Sequence, residues 1–153
     1  EKNQSAYTPA VSLIVGLKRS LDMIREEGLE GLFARHSMLA KASRAAMKAL
    51  GLQLLAEESP SSAVTVVKSP PGIDAQDVIK ICREKFGVVL AGGQGGLKGK
   101  VFRIGHMGYV DKFDIVAAVS AIEMALSELG FDVKLGAGVA AARAVFEGER
   151  RNM

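Results

Sequence analysis

The sequence has few of the residues that cross-link small proteins covalently or bind metals, and few aromatic side chains. Its 153 residues include one cysteine and no tryptophan, and aromatic residues make up 5% of the chain. The single cysteine, Cys82, excludes an internal disulfide and any cysteine-ligated metal cluster within this chain. Cys82 ends the largely apolar run Val-Ile-Lys-Ile-Cys at 78–82. We therefore expect Cys82 to be buried and to pack as a small hydrophobic residue.

The chain also lacks a strong charge of one sign and a long apolar run. Its 20 basic and 17 acidic residues give a net charge of +3, which is too small and too scattered to predict binding to nucleic acid. No apolar run reaches the roughly 18 residues that a membrane-spanning helix needs, and nothing resembles a signal peptide. We therefore expect a cytoplasmic protein that binds neither nucleic acid nor a membrane.

The first third of the chain has the pattern of two helices. Thr8 and Pro9 are typical of a helix start, with Thr8 as the cap, and apolar residues then recur at helical spacing as far as Gly28. A second and longer helix is predicted from Leu29 to about Leu50. At 153 residues the whole chain is long enough for one globular core.

The rest of the chain alternates short strands with helices. Strands are predicted over residues 52–55, 64–67, 88–90 and 100–104. Asp74 caps a predicted helix over 75–86, Asp111 caps another that ends near Leu129, and an alanine-rich segment over 139–146 predicts a further helix. This order predicts an α+β fold, in which helices cover one face of a small, mostly antiparallel sheet preceded by a long helix.

Glycines and histidines mark two further segments. Residues 92–96 read Gly-Gly-Gln-Gly-Gly, and a phosphate-binding loop would need a helix after it, where a strand is predicted. This segment is either a flexible, hairpin-like connection or a loop that lies over a ligand. His36 is interpreted as a partly buried histidine of the second helix, and His106 stands between two glycines. Two histidines without matching acidic residues do not predict a metal site.

Arg103 places a permanent cation inside the predicted strand Val-Phe-Arg-Ile at 101–104. Desolvating such a cation is costly unless it is paired. The planar guanidinium suits a carboxylate or a phosphate, which it grips through two parallel hydrogen bonds. From the pattern alone, Arg103 is either such a clamp or an arginine on the solvent face of an edge strand.

Several short motifs occur in an order that resembles a known enzyme family. The most specific is Gly-Lys-Val-Phe-Arg-Ile-Gly-His-Met-Gly at 99–108, supported by Tyr-Thr-Pro-Ala-Val at 7–11, Glu-Glu-Gly-Leu-Glu at 26–30, Arg-His at 35–36 and Gly-Gly at 92–93. They resemble the C-terminal portion of class V aminotransferases, which are fold-type I pyridoxal-phosphate enzymes. The likeness covers residues 7–131 and is greatest for the alanine–glyoxylate and serine–glyoxylate (serine–pyruvate) branch, which includes proteins named soluble hydrogenase small subunit.

The resemblance implies a transamination from alanine or serine to glyoxylate or pyruvate. It implies that Arg103 binds the carboxylate of the amino-acid and keto-acid substrates, and that Thr8 or Tyr7 contacts the pyridoxal 5'-phosphate near the interface of a homodimer. In that family the lysine that binds the cofactor and the aspartate that pairs its ring lie in a large domain upstream of Tyr7. We therefore expect no catalytic residue, no covalently bound cofactor and no activity in this chain alone.

The same resemblance divides the chain into three parts. Residues 1–28 would be an interface helix from the large domain, residues 29–131 the small C-terminal domain, and residues 132–153 a tail that is helical or non-native. Since the chain begins without methionine, we interpret it as a piece of a longer enzyme. The alternatives are a stand-alone α+β module that binds a carboxylate or a partner without chemistry, and a fragment of another class V enzyme, a desulfurase or a phosphoserine-type transaminase. Hydrogenase chemistry is physically implausible with one cysteine.

Overall fold

The structure of the protein is a computed structural model that describes residues 7–150. Residues 1–6 of the predicted interface helix and residues 151–153 of the predicted tail lie outside the described residues. The chain forms two compact units, Glu1–Arg35 and His36–Met153. The three-part division inferred from the sequence stays a prediction.

The first unit consists of helix α1 (Val11–Glu27) and the beginning of helix α2 (Leu29–Ala49). Gly28 separates the two helices with a φ of 79°, a left-handed conformation that glycine adopts without strain. A two-pronged ion pair joins the Arg35 guanidinium to the Glu27 carboxylate, with distances of 2.6 Å from Nε to Oε1 and 2.9 Å from Nη2 to Oε2. α2 matches the helix predicted from Leu29 to about Leu50, and α1 ends just before Gly28 as predicted.

The start of α1 corrects one prediction. The helix begins at Val11 with Ala10 in the N-cap position, and no side chain caps it. The Val11 N–H donates instead to the Pro9 carbonyl, at 2.9 Å. An N-cap side chain reaches the backbone two or three residues further on, so Thr8 lies too early in the chain to serve the first turn, and the predicted Thr8 cap is wrong.

The second unit is built on a three-stranded sheet with the order β1-β3-β2. The strands are β1 (Val64–Lys68), β2 (Ala91–Gly92) and β3 (Val101–Gly105). Both neighbours run antiparallel to the central β3, with Val67 opposite Phe102 on one side and Gly92 opposite Phe102 on the other. The strands at 64–67 and 100–104 are confirmed to within one residue.

Helices pack on one face of this sheet. Phe102 and Ile104 of β3 join buried residues of α2, α3 (Ala75–Phe86), α4 (Lys112–Glu128) and α5 (Ala137–Arg150) in one apolar cluster. The predicted α+β fold, a small antiparallel sheet with helices, is confirmed. Within residues 7–150, no helix has both the length and the apolar character needed to cross a membrane.

Two aspartates start α3 and α4 as predicted. The Asp74 carboxylate accepts a hydrogen bond from the Gln76 N–H, at 2.7 Å. The Asp111 carboxylate accepts from the Phe113 and Asp114 N–H groups at 2.6 and 3.1 Å, and the Asp114 carboxylate accepts from the Asp111 N–H at 2.8 Å. This reciprocal pattern is a capping box, which satisfies backbone donors that have no partner inside the helix.

Two other predicted strands are different in the structure. Residues 52–55 contribute a single bridge, Leu54 opposite Val67. The strand predicted at 88–90 lies later, at Ala91–Gly92. The reason is local: the Val88 N–H donates to the Cys82 carbonyl at 2.9 Å, so Val88 belongs to the end of α3 rather than to the sheet.

The helix predicted at 139–146 is confirmed as α5, and a buried carboxylate holds its first turn. Glu123 of α4 is 3% exposed. Its carboxylate accepts from the N–H groups of Gly136, Gly138 and Val139, at 2.6, 2.8 and 3.1 Å. The buried side chain of Phe146 attaches the other end of α5 to the core.

Cys82 lies on α3 and is fully buried. Burial raises the pKa of its thiol to about 11, because an apolar environment disfavours the charged thiolate. The predicted small buried hydrophobic residue is confirmed. No three His, Cys, Asp or Glu side chains among the described residues are grouped so that they could hold a metal ion.

Candidate functional site

Arg103 lies on the face of the sheet opposite the helices. Side chains alternate along a strand, and the neighbours Phe102 and Ile104 are 0% and 3% exposed on the helical side. Arg103 is flanked by Val66 on β1 and by Ala91 on β2. Because β3 is the central strand, the edge-strand part of the second interpretation is wrong, and the role of Arg103 as a clamp stays a prediction.

The Arg103 side chain lines an open cleft with a volume of about 350 Å³. The other residues that line this cleft are apolar: Val64, Val89, Leu90, Ala91 and Gly105. The Nε atom of Arg103 is buried, and among residues 7–150 no acceptor lies within hydrogen-bonding distance of it. A buried donor without an acceptor is costly. A cation with such a donor in an apolar cleft therefore favours an anionic ligand, and a carboxylate matches its planar donors.

The glycine-rich segment connects β2 to β3 and covers part of the same face. The Gly93 N–H donates to the Val101 carbonyl at 3.1 Å, and a Cβ atom on Gly93 would lie 2.1 Å from the Leu97 carbonyl oxygen. Val101 shares a face with Arg103 but is 1% exposed, since this connection packs over it. The segment is a hairpin-like connection between the paired strands β2 and β3, and its place over a ligand stays a prediction.

His106 follows β3 directly and is completely buried. Its backbone N–H donates to the Ala63 carbonyl at 2.9 Å, and its ring Nδ1 lies 3.3 Å from the Ser62 carbonyl oxygen. A carbonyl only accepts, so Nδ1 carries the proton in this contact. Burial is the main cause that lowers the pKa of His106, and the charges of Arg44 and His36 lower it further.

Tyr7 and Thr8 belong to the first unit, and Arg103 belongs to the second. Tyr7 and Thr8 precede α1 and are exposed, with Tyr7 89% exposed.

Sequence reasoning missed the contacts that His106 makes with Ser62 and Ala63. The sequence shows this histidine between two glycines after a strand. That position draws attention to His106 but does not identify the residues that it contacts.

Comparisons with known proteins give the chain a family context. No protein-family model matches the sequence. It is 48% identical over 145 residues to a protein of Synechococcus sp. (strain PCC 6716) described as "Soluble hydrogenase, small subunit", which covers 94% of the chain. It is 42% identical over 138 residues to the serine–glyoxylate aminotransferase of Arabidopsis thaliana, which covers 89% of the chain.

A solved structure is similar in both fold and sequence. The pyridoxamine–pyruvate aminotransferase of Mesorhizobium loti superposes with a TM-score of 0.90 over 97% of the chain, at 36% sequence identity. In each comparison the chain spans a minor part of the relative: 38% of the Synechococcus protein, 34% of the Arabidopsis enzyme and 38% of the Mesorhizobium enzyme. The aminotransferases among these relatives are of the pyridoxal-phosphate type.

Proposed function

Since the chain belongs to the class V aminotransferases, as their C-terminal part, we propose that the protein containing it transfers an amino group from alanine or serine to glyoxylate or pyruvate. In this proposal Arg103 binds the substrate carboxylate. The observation that carries it is the buried Nε of Arg103, which has no acceptor among the described residues in a cleft otherwise lined by apolar groups.

The position of Arg103 supports a clamp that is rigid before the substrate arrives. The side chain is mounted on the central strand, which is hydrogen-bonded on both sides, and the buried residues Phe102 and Ile104 anchor that strand in the core. A substrate carboxylate would supply the missing acceptor through charge-assisted hydrogen bonds. Because the strand is already fixed, substrate binding would not have to supply the free energy of ordering the strand that carries Arg103.

The described residues fit the substrate carboxylate better than they fit the whole cofactor. Pyridoxal phosphate, when bound, supplies the electron sink for transamination. The cleft beside Arg103 is lined by no lysine and no carboxylate, so it offers neither a Schiff-base amine nor a partner for the pyridine nitrogen. We propose that this chain alone is inactive, and that Tyr7 and Thr8, as exposed hydroxyl donors, contact the cofactor phosphate across a homodimer interface.

The test is the substitution Arg103→Lys in the full-length enzyme that contains this chain. Lysine keeps the positive charge but loses the planar donors. We expect KM for the amino donor to rise by about 30-fold, which corresponds to a loss of about 2 kcal/mol, the scale of a hydrogen bond to a charged group. Steady-state kinetics with alanine and with serine measure this change.

Arg83→Lys is the matched control, because Arg83 is an exposed cation on α3, 60% exposed at its side chain. It should leave KM unchanged. If Arg103→Lys left the kinetics intact and lowered the unfolding temperature, Arg103 would be a structural residue. An enzyme without transaminase activity toward either donor would contradict the proposed reaction itself.

A further inference from the structure

One buried residue, His106, continues the attachment of β3 to β1 beyond the last residue of the strand. His106 makes two contacts with the segment that precedes β1: its N–H donates to the Ala63 carbonyl at 2.9 Å, and its ring Nδ1 donates to the Ser62 carbonyl at 3.3 Å. One contact is main chain to main chain and survives any substitution except proline. The second depends on the imidazole.

The same two strands both contribute residues to the lining of the Arg103 cleft. Val64 of β1 and Gly105 of β3 both line it, and they lie opposite each other in the sheet register. Val64 follows Ser62 and Ala63 directly, and Gly105 immediately precedes His106. The two bonds of His106 therefore continue the pairing of β1 with β3 beyond Val64 and Gly105, at the edge of the cleft.

The surroundings of the ring keep its proton on Nδ1. A neutral imidazole carries one N–H, and the buried Nε2 has no partner among the described residues. A second proton on the ring is disfavoured, because the group is buried and because Arg44 on α2 adds positive charge nearby. The donor to Ser62 is thus a neutral N–H whose direction is fixed by the packed ring.

We propose that His106 is a positioning residue for the carboxylate site: its Nδ1–H bond to Ser62 holds the end of β3 against the start of β1 beside the cleft and, through β3, fixes the placement of the Arg103 guanidinium three residues earlier. The proposal rests on the proposed function of Arg103 as the carboxylate clamp. His106 touches neither substrate nor cofactor in this scheme. It acts by holding the C-terminal end of β3 against the residues that precede β1.

The first measurement needs no activity. In the 153-residue chain labelled with ¹⁵N, two-bond ¹H–¹⁵N correlations of the imidazole report which ring nitrogen carries the proton. We expect a neutral ring with the proton on Nδ1 at pH 6.5, the ordinary titration midpoint of histidine. A proton on Nε2, or a charged ring at that pH, would overturn the proposal.

The second measurement compares His106→Leu with His106→Asn in the full-length enzyme. Leucine approximates the volume of the ring without a donor, whereas the amide nitrogen of asparagine takes the place of Nδ1. We expect His106→Leu to raise KM for the amino donor about tenfold with kcat within about twofold, and His106→Asn to restore KM to within about threefold. Arg83→Asn, which alters an exposed side chain of α3, is the control and should leave KM unchanged.

The outcomes separate this inference from the function on which it rests. If Arg103→Lys raises KM but His106→Leu does not, the clamp stands and the positioning role of His106 is wrong. If His106→Asn is impaired as much as His106→Leu, the ring donor is not the cause, and the inference is again wrong. If neither Arg103→Lys nor His106→Leu changes KM, the proposed role of Arg103 is wrong, and the inference about His106 is wrong with it.

Discussion

Val101 and Arg103 share one face of the sheet, two positions apart, but their surroundings differ. The Gly93–Leu97 turn packs over Val101 and leaves it 1% exposed. Arg103 lies beyond that turn, in the open cleft. Gly93 thus has a steric role in the packing of this turn against Val101. Because Gly93 has no side chain, the turn can approach Val101 of β3 closely.

Among the glycines of segment 92–96, Gly93 is therefore the one whose replacement we expect to destabilise the fold most. In Gly93→Ala the new methyl group would lie 2.1 Å from the Leu97 carbonyl oxygen and 2.9 Å from Val101 Cγ2, so the turn must move. We expect a loss of about 2 kcal/mol in the free energy of unfolding, at the scale of an overpacked core. Urea unfolding of the 153-residue chain measures it.

Gly96→Ala is the matched control, three positions along the same turn. A Cβ atom on Gly96 would meet nothing within 4 Å, and Gly96 is not among the glycines with positive φ. We expect its free energy of unfolding to stay within about 0.5 kcal/mol of the wild type, as for other surface substitutions. Equal losses in the two variants would show that the turn is not packed against β3 as described.

Among the elements, α5 depends most clearly on a residue far from it in sequence. The first N–H groups of any helix lack partners inside the helix. In α5 those around its start are satisfied by the carboxylate of Glu123, which lies on α4. The negative charge also interacts favourably with the positive end of the helix dipole. α5 is therefore attached to the core at its first turn by a buried charge and further along by Phe146.

Replacing Glu123 with glutamine tests this attachment. The side chain keeps its size but loses the charge, and its amide nitrogen, as a donor, would face a backbone N–H. We expect Glu123→Gln to lower the free energy of unfolding by about 1–3 kcal/mol. Glu128→Gln, on the same helix but in an exposed ion pair with Lys85, should cost at most about 1 kcal/mol. Chemical unfolding of both variants gives the comparison, and equal effects would contradict the capping role.

Local signals predicted most of the helices, and pairings distant in sequence account for the differences. Asp74 and Asp111 precede their helices directly, so the caps of α3 and α4 could be predicted from neighbouring residues alone. The strand β2 could not, because Ala91–Gly92 has little strand propensity and exists through its pairing with Phe102 and Arg103. The capping role of Glu123 could not be predicted for the same reason, since its partners lie 13 to 16 residues further along the chain.

The candidate site was predictable in its central residue and not in its surroundings. An arginine in an apolar strand is visible in the sequence, although the pattern alone left two interpretations of it open. The register that places Val66 and Ala91 beside Arg103 is a tertiary property. So is the contact of His106 with Ser62, which joins residues 44 positions apart. Neither leaves a local pattern to be recognised.

On the scale of the whole molecule, α1 has an unusual surface for a helix. None of its residues is buried. Large apolar side chains are nevertheless frequent on it, with exposures of 50 to 73%: Val11, Leu13, Ile14, Val15, Leu17 and Leu21. Exposed apolar patches of this kind mark interaction surfaces. The relatives named above are longer than this chain, which covers 38% of the Synechococcus protein.

We predict that the isolated 153-residue chain associates through α1. Sedimentation velocity should show a dimer or a larger species, because association removes this apolar surface from water. The double substitution Leu13→Lys with Leu17→Lys places two charges one helical turn apart on the surface and should shift the chain to a monomer. Lys18→Leu and Arg19→Leu, which add apolar surface to the same helix, should not reduce association. A wild-type chain that stays monomeric at high concentration would contradict the prediction.

The burial of Cys82 makes the chain well suited to site-specific labelling. With its thiol inaccessible and its pKa raised to about 11, Cys82 holds almost no reactive thiolate at neutral pH. A cysteine introduced at Val89, which is 78% exposed and lines the Arg103 cleft, would then react selectively with a maleimide dye or a nitroxide. The natural sequence can therefore serve as the background for fluorescence or electron paramagnetic resonance at the cleft, with its own cysteine left in place.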